Sequence, residues 1–328
     1  MSPANRLTLF RRLALLGVAL TLVVVVMGAW VRLSAAGLGC PDWPGCYGHV
    51  TAGAAGENIE RISQAFPERP FEYHKAVKEM IHRYFASTLG FLCLVLAAIA
   101  IVNRSHVGQP VKLPIFLVGL VIFQGLLGMW TVTLLLKPLI VTLHLIGGLS
   151  TLSVLAWLAM SKPSLANAPQ RLRTLATASL LVLALQITLG GWTSSNYAAL
   201  ACPDFPTCQN SYWPEMDAKD AFVLWRGLGI DYEGGVLDHP ARVAIHFAHR
   251  LGAIVAALLL GFTAFAAWRT GIPRIKTAGA VVGAVLIAQL ILGPMMVMHA
   301  LPLSLATAHN GAAALLLLAI VRLNRVTT

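Results

Sequence analysis

Eight long apolar runs leave this chain few folds to choose from. They fall at about 12–31, 81–102, 114–135, 139–160, 174–194, 243–267, 277–298 and 302–321. Each is close to the roughly 20 residues that a helix needs to cross a bilayer. Lipid offers the backbone no hydrogen-bond partners, so a crossing run satisfies its N–H and C=O groups internally, as a helix. Composition agrees, with 57% hydrophobic residues, 11% charged residues and a mean hydropathy of +0.74. A soluble domain carries about 25% charged residues. The net charge of +11 does not point to nucleic acid, because no basic stripe interleaved with aromatics accompanies it. Arg11-Arg12 before the first run and Ala35-Ala36 after it imitate a signal peptide. The run is too long for an h-region of about 7–15 residues, and the repeat described next gives it a partner, so it is read as a true span.

The basic residues orient the spans. With the N-terminus inside, the inner segments hold Arg6, Arg11, Arg12, Arg104, Lys112, Lys162, Arg171, Arg173, Arg269, Arg274, Lys276, Arg322 and Arg325. All 13 Asp and Glu lie between Asp42 and Glu79 or between Asp204 and Asp238. A Lys/Arg excess in short loops marks the cytoplasmic side, which puts both termini inside and the two long loops outside.

The chain also repeats itself. Gly28-Ala-Trp30 and Cys40-Pro-Asp-Trp-Pro-Gly-Cys46 recur 162 residues later as Gly190-Gly-Trp192 and Cys202-Pro-Asp-Phe-Pro-Thr-Cys208. His82-Arg83 recurs as His249-Arg250, Gln124 and Gly128 as Gln289 and Gly293, and His144 as His309, at offsets of 165 to 167. The expected architecture is an all-α polytopic membrane protein of eight transmembrane helices. It divides into two tandem four-helix bundles, 1–165 and 166–328. An even number of spans per copy inserts both the same way up, related by a pseudo-two-fold axis along the membrane normal.

Four of the ten histidines follow this repeat. His144 and His309 lie six and seven residues past Pro138 and Pro302, about 9–10 Å into their spans. His82 and His249 enter their own spans from the same side, near the outer end or about one turn in. Each half therefore offers two imidazoles from two helices at similar depth, a clamp for the two faces of a haem. A histidine in a span is also an ordinary helix–helix hydrogen bonder, but a set of four in register favours ligands. No carboxylate or third histidine repeats with the pairs, and two ligands are few for zinc. His49, His74 and His239 are read as outer-loop residues, His106 as an inner-loop one and His299 as interfacial. Arg83 and Arg250 follow the first ligand of each pair and suit haem propionates, or snorkel to the interface.

The copies differ beside that ligand. Glu79 stands three residues before His82, and His246 three before His249. A carboxylate at one site only suggests that proton-coupled work belongs there, whereas a bis-histidine iron without an open position suits electron transfer. Cys40/Cys46 and Cys202/Cys208 are expected to form a disulfide within each outer loop, as structural clamps or as redox pairs. Cys93 lies alone in a span.

These motifs together resemble the haem A synthase family over nearly the whole chain, from Gly28 to His309. The residues that carry the resemblance are the Cys pairs, Glu79-x-x-His82-Arg83, His144, His249-Arg250 and His309. The resemblance implies oxidation of the C8 methyl of haem O to a formyl group, giving haem A for cytochrome oxidase. It implies a haem b cofactor on His249 and His309, substrate haem on His82 and His144, and Glu79 as the catalytic residue. It also implies a bacterial inner-membrane setting. Expected partners are the farnesyltransferase that makes haem O and an electron acceptor, with a homo-oligomer also open. Other classes remain: a di-haem b electron carrier linked to quinol, a thiol–disulfide oxidoreductase using the loop cysteines, and a transporter.

Overall fold

The computed structural model describes residues 2–160 and 168–328, and within them every regular element is a helix. In chain order these are α1 (Pro3–Leu33), α2 (Ala52–Gly56), α3 (Ile59–Ala65), α4 (Tyr73–Val102), α5 (Lys112–Thr133), α6 (Pro138–Ala159), α7 (Gln170–Ser195), α8 (Ala218–Ala221), α9 (His239–Arg269), α10 (Pro273–Met298) and α11 (Leu303–Thr327). The eight long ones, α1, α4, α5, α6, α7, α9, α10 and α11, are each long and apolar enough to cross a membrane. The chain is a multi-pass membrane protein. Lys162 and the expected boundary at 165/166 lie outside the described residues.

Local chemistry sets several helix starts. Ser2 caps α1 by accepting the Asn5 N–H, and proline stands in the first turn of α1, α6, α9 and α10. Proline there forgoes only an N–H that the helix leaves unpaired in any case. On the cysteine-loop side two helices begin before their apolar runs. α4 starts at Tyr73 and α9 at His239, rather than near 81 and 243. The extra turns are covered by protein: Ala76 and Met80 pack with Cys40, Cys46 and Tyr47, and Val243 packs with Cys202 and Cys208. Hydropathy could not show this, because these turns are buried under loops instead of in lipid. His74 and His239 are consequently exposed residues of the first turns of α4 and α9, not loop residues, and His82 and His249 lie more than two turns inside their helices.

The long helices pack in two closed rings. α1 touches α4 and α6, and α5 touches the same two; α7 touches α9 and α11, and α10 touches the same two. Helices at opposite corners, α4 with α6 and α9 with α11, do not meet. The rings join through α1 on α11, α6 on α7 and α6 on α11. Exchanging each helix for its repeat partner maps this contact set onto itself. The two related seams differ in detail. A groove of about 720 Å³ between α1 and α11 is lined by Val26, Trp30, Ser304, Ala308 and Gly311. At the matching places between α6 and α7 stand Leu139, Leu143, Ile146 and the buried Trp192.

At the end of the molecule that carries the cysteine loops, the second half reaches over the first. Arg69 pairs with Asp231 at 2.6 Å and Glu233 at 3.0 Å, and the Tyr232 N–H donates to Leu135 O at 3.0 Å. Lys137 is only 2% exposed: its ammonium donates to Gly227 O and lies 3.5 Å from the centre of the Trp225 ring. A buried ammonium needs such partners to offset its lost hydration.

Candidate functional site

The four repeated histidines stand on the helices that do not touch. His82 is on α4 and His144 on α6, opposite corners of the first ring; His249 is on α9 and His309 on α11, opposite corners of the second. Each ring edge is seated against a glycine of an adjacent helix. A Cβ on Gly28 would lie 3.0 Å from His82 Cε1, one on Gly190 3.1 Å from His249 Cε1, one on Gly128 3.5 Å from His144 Cε1, and one on Gly293 3.4 Å from His309 Cε1. Every one of these glycines stands five residues before the end of its helix, so the four seats share one level, at the cysteine-loop end. The absence of side chains there lets backbone and imidazole approach closely.

The polar atoms of the sites are suited to a ligand. His82 Nδ1, His144 Nδ1 and His309 Nδ1 are buried and have no hydrogen-bond partner among the described residues. Gln289 Nε2 lies 3.2 Å from His309 Nε2, and Gln186 Nε2 lies 3.1 Å from His249 Nδ1. Half-buried imidazoles with unpartnered nitrogens at His82, His144 and His309, carried on helices at opposite corners of each ring, are a donor set for iron in a flat macrocycle. Among the described residues no cluster of three or more His, Cys, Asp or Glu could hold a bare metal ion.

Above each pair lies a cysteine loop, and both are built alike. The Cys40 and Cys46 sulfurs are 2.08 Å apart and those of Cys202 and Cys208 1.96 Å apart, so each loop is closed on itself; Cys93 is free and buried. Asp42 accepts the N–H groups of Tyr47 at 2.6 Å and Gly48 at 2.7 Å. Asp204 accepts those of Gln209 at 2.6 Å and Asn210 at 3.0 Å, together with the Thr207 hydroxyl. The Thr207 hydroxyl and those two N–H groups hold the Asp204 carboxyl well below its usual range, at about 2. Gly48 and Asn210 take the same left-handed turn position, φ +76° and +59°, which glycine and asparagine tolerate best.

Each loop is tied to the helix below by the residues that differ between the halves. Glu79, 5% exposed, accepts the Cys40 N–H at 2.9 Å and pairs with Arg83 at 2.5 Å. Arg83 continues to the carbonyls of Asp42, at 3.0 Å, and of Gly45. In the second half His246, 4% exposed, stands where Glu79 stands: its Nδ1 accepts the Cys202 N–H at 3.2 Å, and Arg250 Nε points at its Nε2 from 3.4 Å. Arg250 then donates to Thr207 O and Cys202 O, both at 2.7 Å. His246 thus bonds to the loop through Nδ1, with Arg250 beside its Nε2, whereas the His249 ring is seated against Gly190 on α7. Arg83 and Arg250, read from sequence as partners for propionates, have loop carbonyls as their protein partners. His49 belongs to the first cysteine loop, where its backbone pairs with that of Cys46, and His299 bonds back to Met295 O at 2.9 Å.

Sequence reasoning missed Gln186 and the glycine seats. Gly28, Gly128, Gly190 and Gly293 are visible as repeat markers, but nothing in the sequence says which side chain each one faces. Gln186 matches Val24 in the other copy, so a search for repeated residues passes over it.

Fold and site together define the class: an all-helical, multi-pass membrane protein made of two copies, with inward-facing histidine pairs beneath disulfide-closed loops. The chain belongs to the cytochrome oxidase assembly protein family, whose model matches residues 11–321. It is 45% identical over 309 residues to a haem A synthase of Shewanella oneidensis, covering 93% of this chain and 92% of that protein. A haem A synthase of Rhizorhabdus wittichii is 28% identical over 343 residues, covering 97% of this chain and 94% of that one. One from Halalkalibacterium halodurans is 27% identical, covering 73% and 69%.

Proposed function

We propose that this protein is a haem A synthase, a membrane oxidoreductase that converts the C8 methyl of haem O to a formyl group, giving haem A for cytochrome oxidase. The observation that carries this is the relative of that name, 45% identical over almost the full length. The two histidine pairs seated on glycine supply a place for two haems.

In this reading the halves 1–165 and 166–328 are two four-helix bundles, related by an axis along the membrane normal, with unequal duties. His249 and His309 hold haem b in the second half, and His82 and His144 hold haem O in the first. A bound haem b supplies one-electron redox chemistry. His249 and His309, on opposite corners of the second ring, would hold that group in place. The first half adds Glu79, whose carboxylate lies one turn from His82 and handles the protons released at the methyl group. Arg83 holds that carboxylate under the loop at 2.5 Å. Both arginines keep N–H groups for propionates. The basic inner segments support a topology with both termini in the cytoplasm and the haem sites toward the outer face of a bacterial inner membrane. The farnesyltransferase that makes haem O, an electron acceptor and a second copy of the chain are the proposed partners.

Extraction and mass analysis of the pigment that co-purifies with the protein tests this. Haem B with haem O, a hydroxylated haem or haem A is the expected result. Protein that carries no haem defeats the proposal. Two permanently bound haem B molecules with equal low-spin spectra would make it a di-haem electron carrier instead.

A further inference from the structure

Of the four facing histidines, His249 alone has a partner for Nδ1 among the described residues. That partner is Gln186 on α7. Its amide nitrogen lies 3.1 Å from His249 Nδ1 and 3.0 Å from His249 O, so the side chain grips ring and backbone of the same residue. The placement is specific. Gln186 stands one turn before Gly190, the glycine on which the His249 ring rests. Room for the amide comes from Gly252, where a Cβ would lie 2.3 Å from Gln186 Oε1.

The repeat provides an internal control. In the first half the residue one turn before Gly28 is Val24, and the residue three after His82, matching Gly252, is Phe85. Both members of the Gln186/Gly252 pair are therefore replaced together, and His82 Nδ1 is left without a partner. A glutamine within a membrane helix is costly unless its amide is used, and here its oxygen is buried with no partner.

We propose that Gln186 is a positioning residue for the second-half haem, orienting His249 and strengthening its hold on iron; this rests on the haem reading given above. An imidazole that gives Nε2 to iron keeps its proton on Nδ1. Turning the amide brings the unpartnered Oε1 onto that proton and gives up the Nε2 bond to His249 O. Accepting it makes the imidazole a stronger donor and fixes its rotation, as hydrogen-bond partners behind metal ligands do elsewhere. A cofactor that must stay gains from this. The first half, whose haem must enter and leave, has no such hold.

The test uses full-length protein purified with its haem, comparing the parent with Gln186→Val and Gln186→Glu. The readouts are the midpoint potential of the haem and its rate of loss to excess apomyoglobin. Valine, the residue of the other half, removes the acceptor, so the potential should rise and loss should quicken by about 10-fold or more. Glutamate is a stronger acceptor and should lower the potential while retaining the haem. Opposite shifts would not arise from a packing defect alone. Parent-like potential and retention in both variants, shifts of the same sign, or haem lost from both would overturn the proposal. A parent that binds no haem overturns the functional reading itself.

Discussion

Glu79 and His246 fill the same corner of the two halves. Each accepts the N–H of the first loop cysteine, and each is met by the arginine four residues on. One brings a carboxylate, the other an imidazole. At the matching point behind the first histidine the contrast runs the other way, with Val24 in the first half and Gln186 in the second. The two halves therefore share a frame of rings, glycine seats and disulfide loops and differ in the residues set on it. The added polar group stands beneath the loop in one half and against the His249 ring in the other. The comparison teaches that a position can keep its structural task while changing its chemistry. The loop needs an acceptor for the cysteine N–H, and either side chain provides it. Only the carboxylate adds a charge that balances the arginine.

The largest expected effect comes from removing a ligand. His249→Ala or His309→Ala should abolish most haem b in the purified protein, read from the reduced-minus-oxidised spectrum. His246→Ala should leave it in place, because His246 turns its Nδ1 to the Cys202 N–H of the loop. An unchanged low-spin spectrum in both ligand variants, or loss of haem from His246→Ala alone, would reverse the assignment within α9.

Next is Glu79→Gln. Glutamine can still accept the Cys40 N–H and face Arg83, so fold and haem b should survive. Product formation should fall by about 100-fold or more, the usual share of a general acid–base group, with haem O or a hydroxylated intermediate retained. Haem A made at the parent rate would reduce Glu79 to a loop anchor. Loss of haem b along with activity would show that its role is structural in both halves.

A smaller effect should sharpen the comparison between the seats. Gly190→Ala places a Cβ 3.1 Å from His249 Cε1, and Gly28→Ala places one 3.0 Å from His82 Cε1. Each should displace its own ring by a few tenths of an ångström and no other. We expect Gly190→Ala to weaken retention of haem b and Gly28→Ala that of haem O, each by about tenfold or less. If either change disturbs both haems equally, the two sites are coupled through the α1/α11 and α6/α7 seams.

Much of this molecule is legible in its sequence. The eight helices follow from run length, because lipid leaves an apolar segment of that size no other backbone structure. The two-copy pattern and the four histidines follow from spacing, since repeated residues keep their order whatever the packing. The cysteine pairs follow from their short, proline-bearing gaps, and the chemistry of a carboxylate at one site only from comparing the copies. Contacts between side chains distant in the chain were decided by tertiary structure alone. Hydropathy could not reveal that α4 and α9 extend under the loops, because burial by protein and by lipid leaves different marks. The sequence equally could not show that Arg83 and Arg250 hold loop carbonyls, that Lys137 is covered by Trp225, or that each histidine rests on a particular glycine. Gln186 is the clearest case. A single unrepeated residue carries no periodic signal, and its meaning appears only when α7 is packed on α9 and its amide lies 3.1 Å from an imidazole.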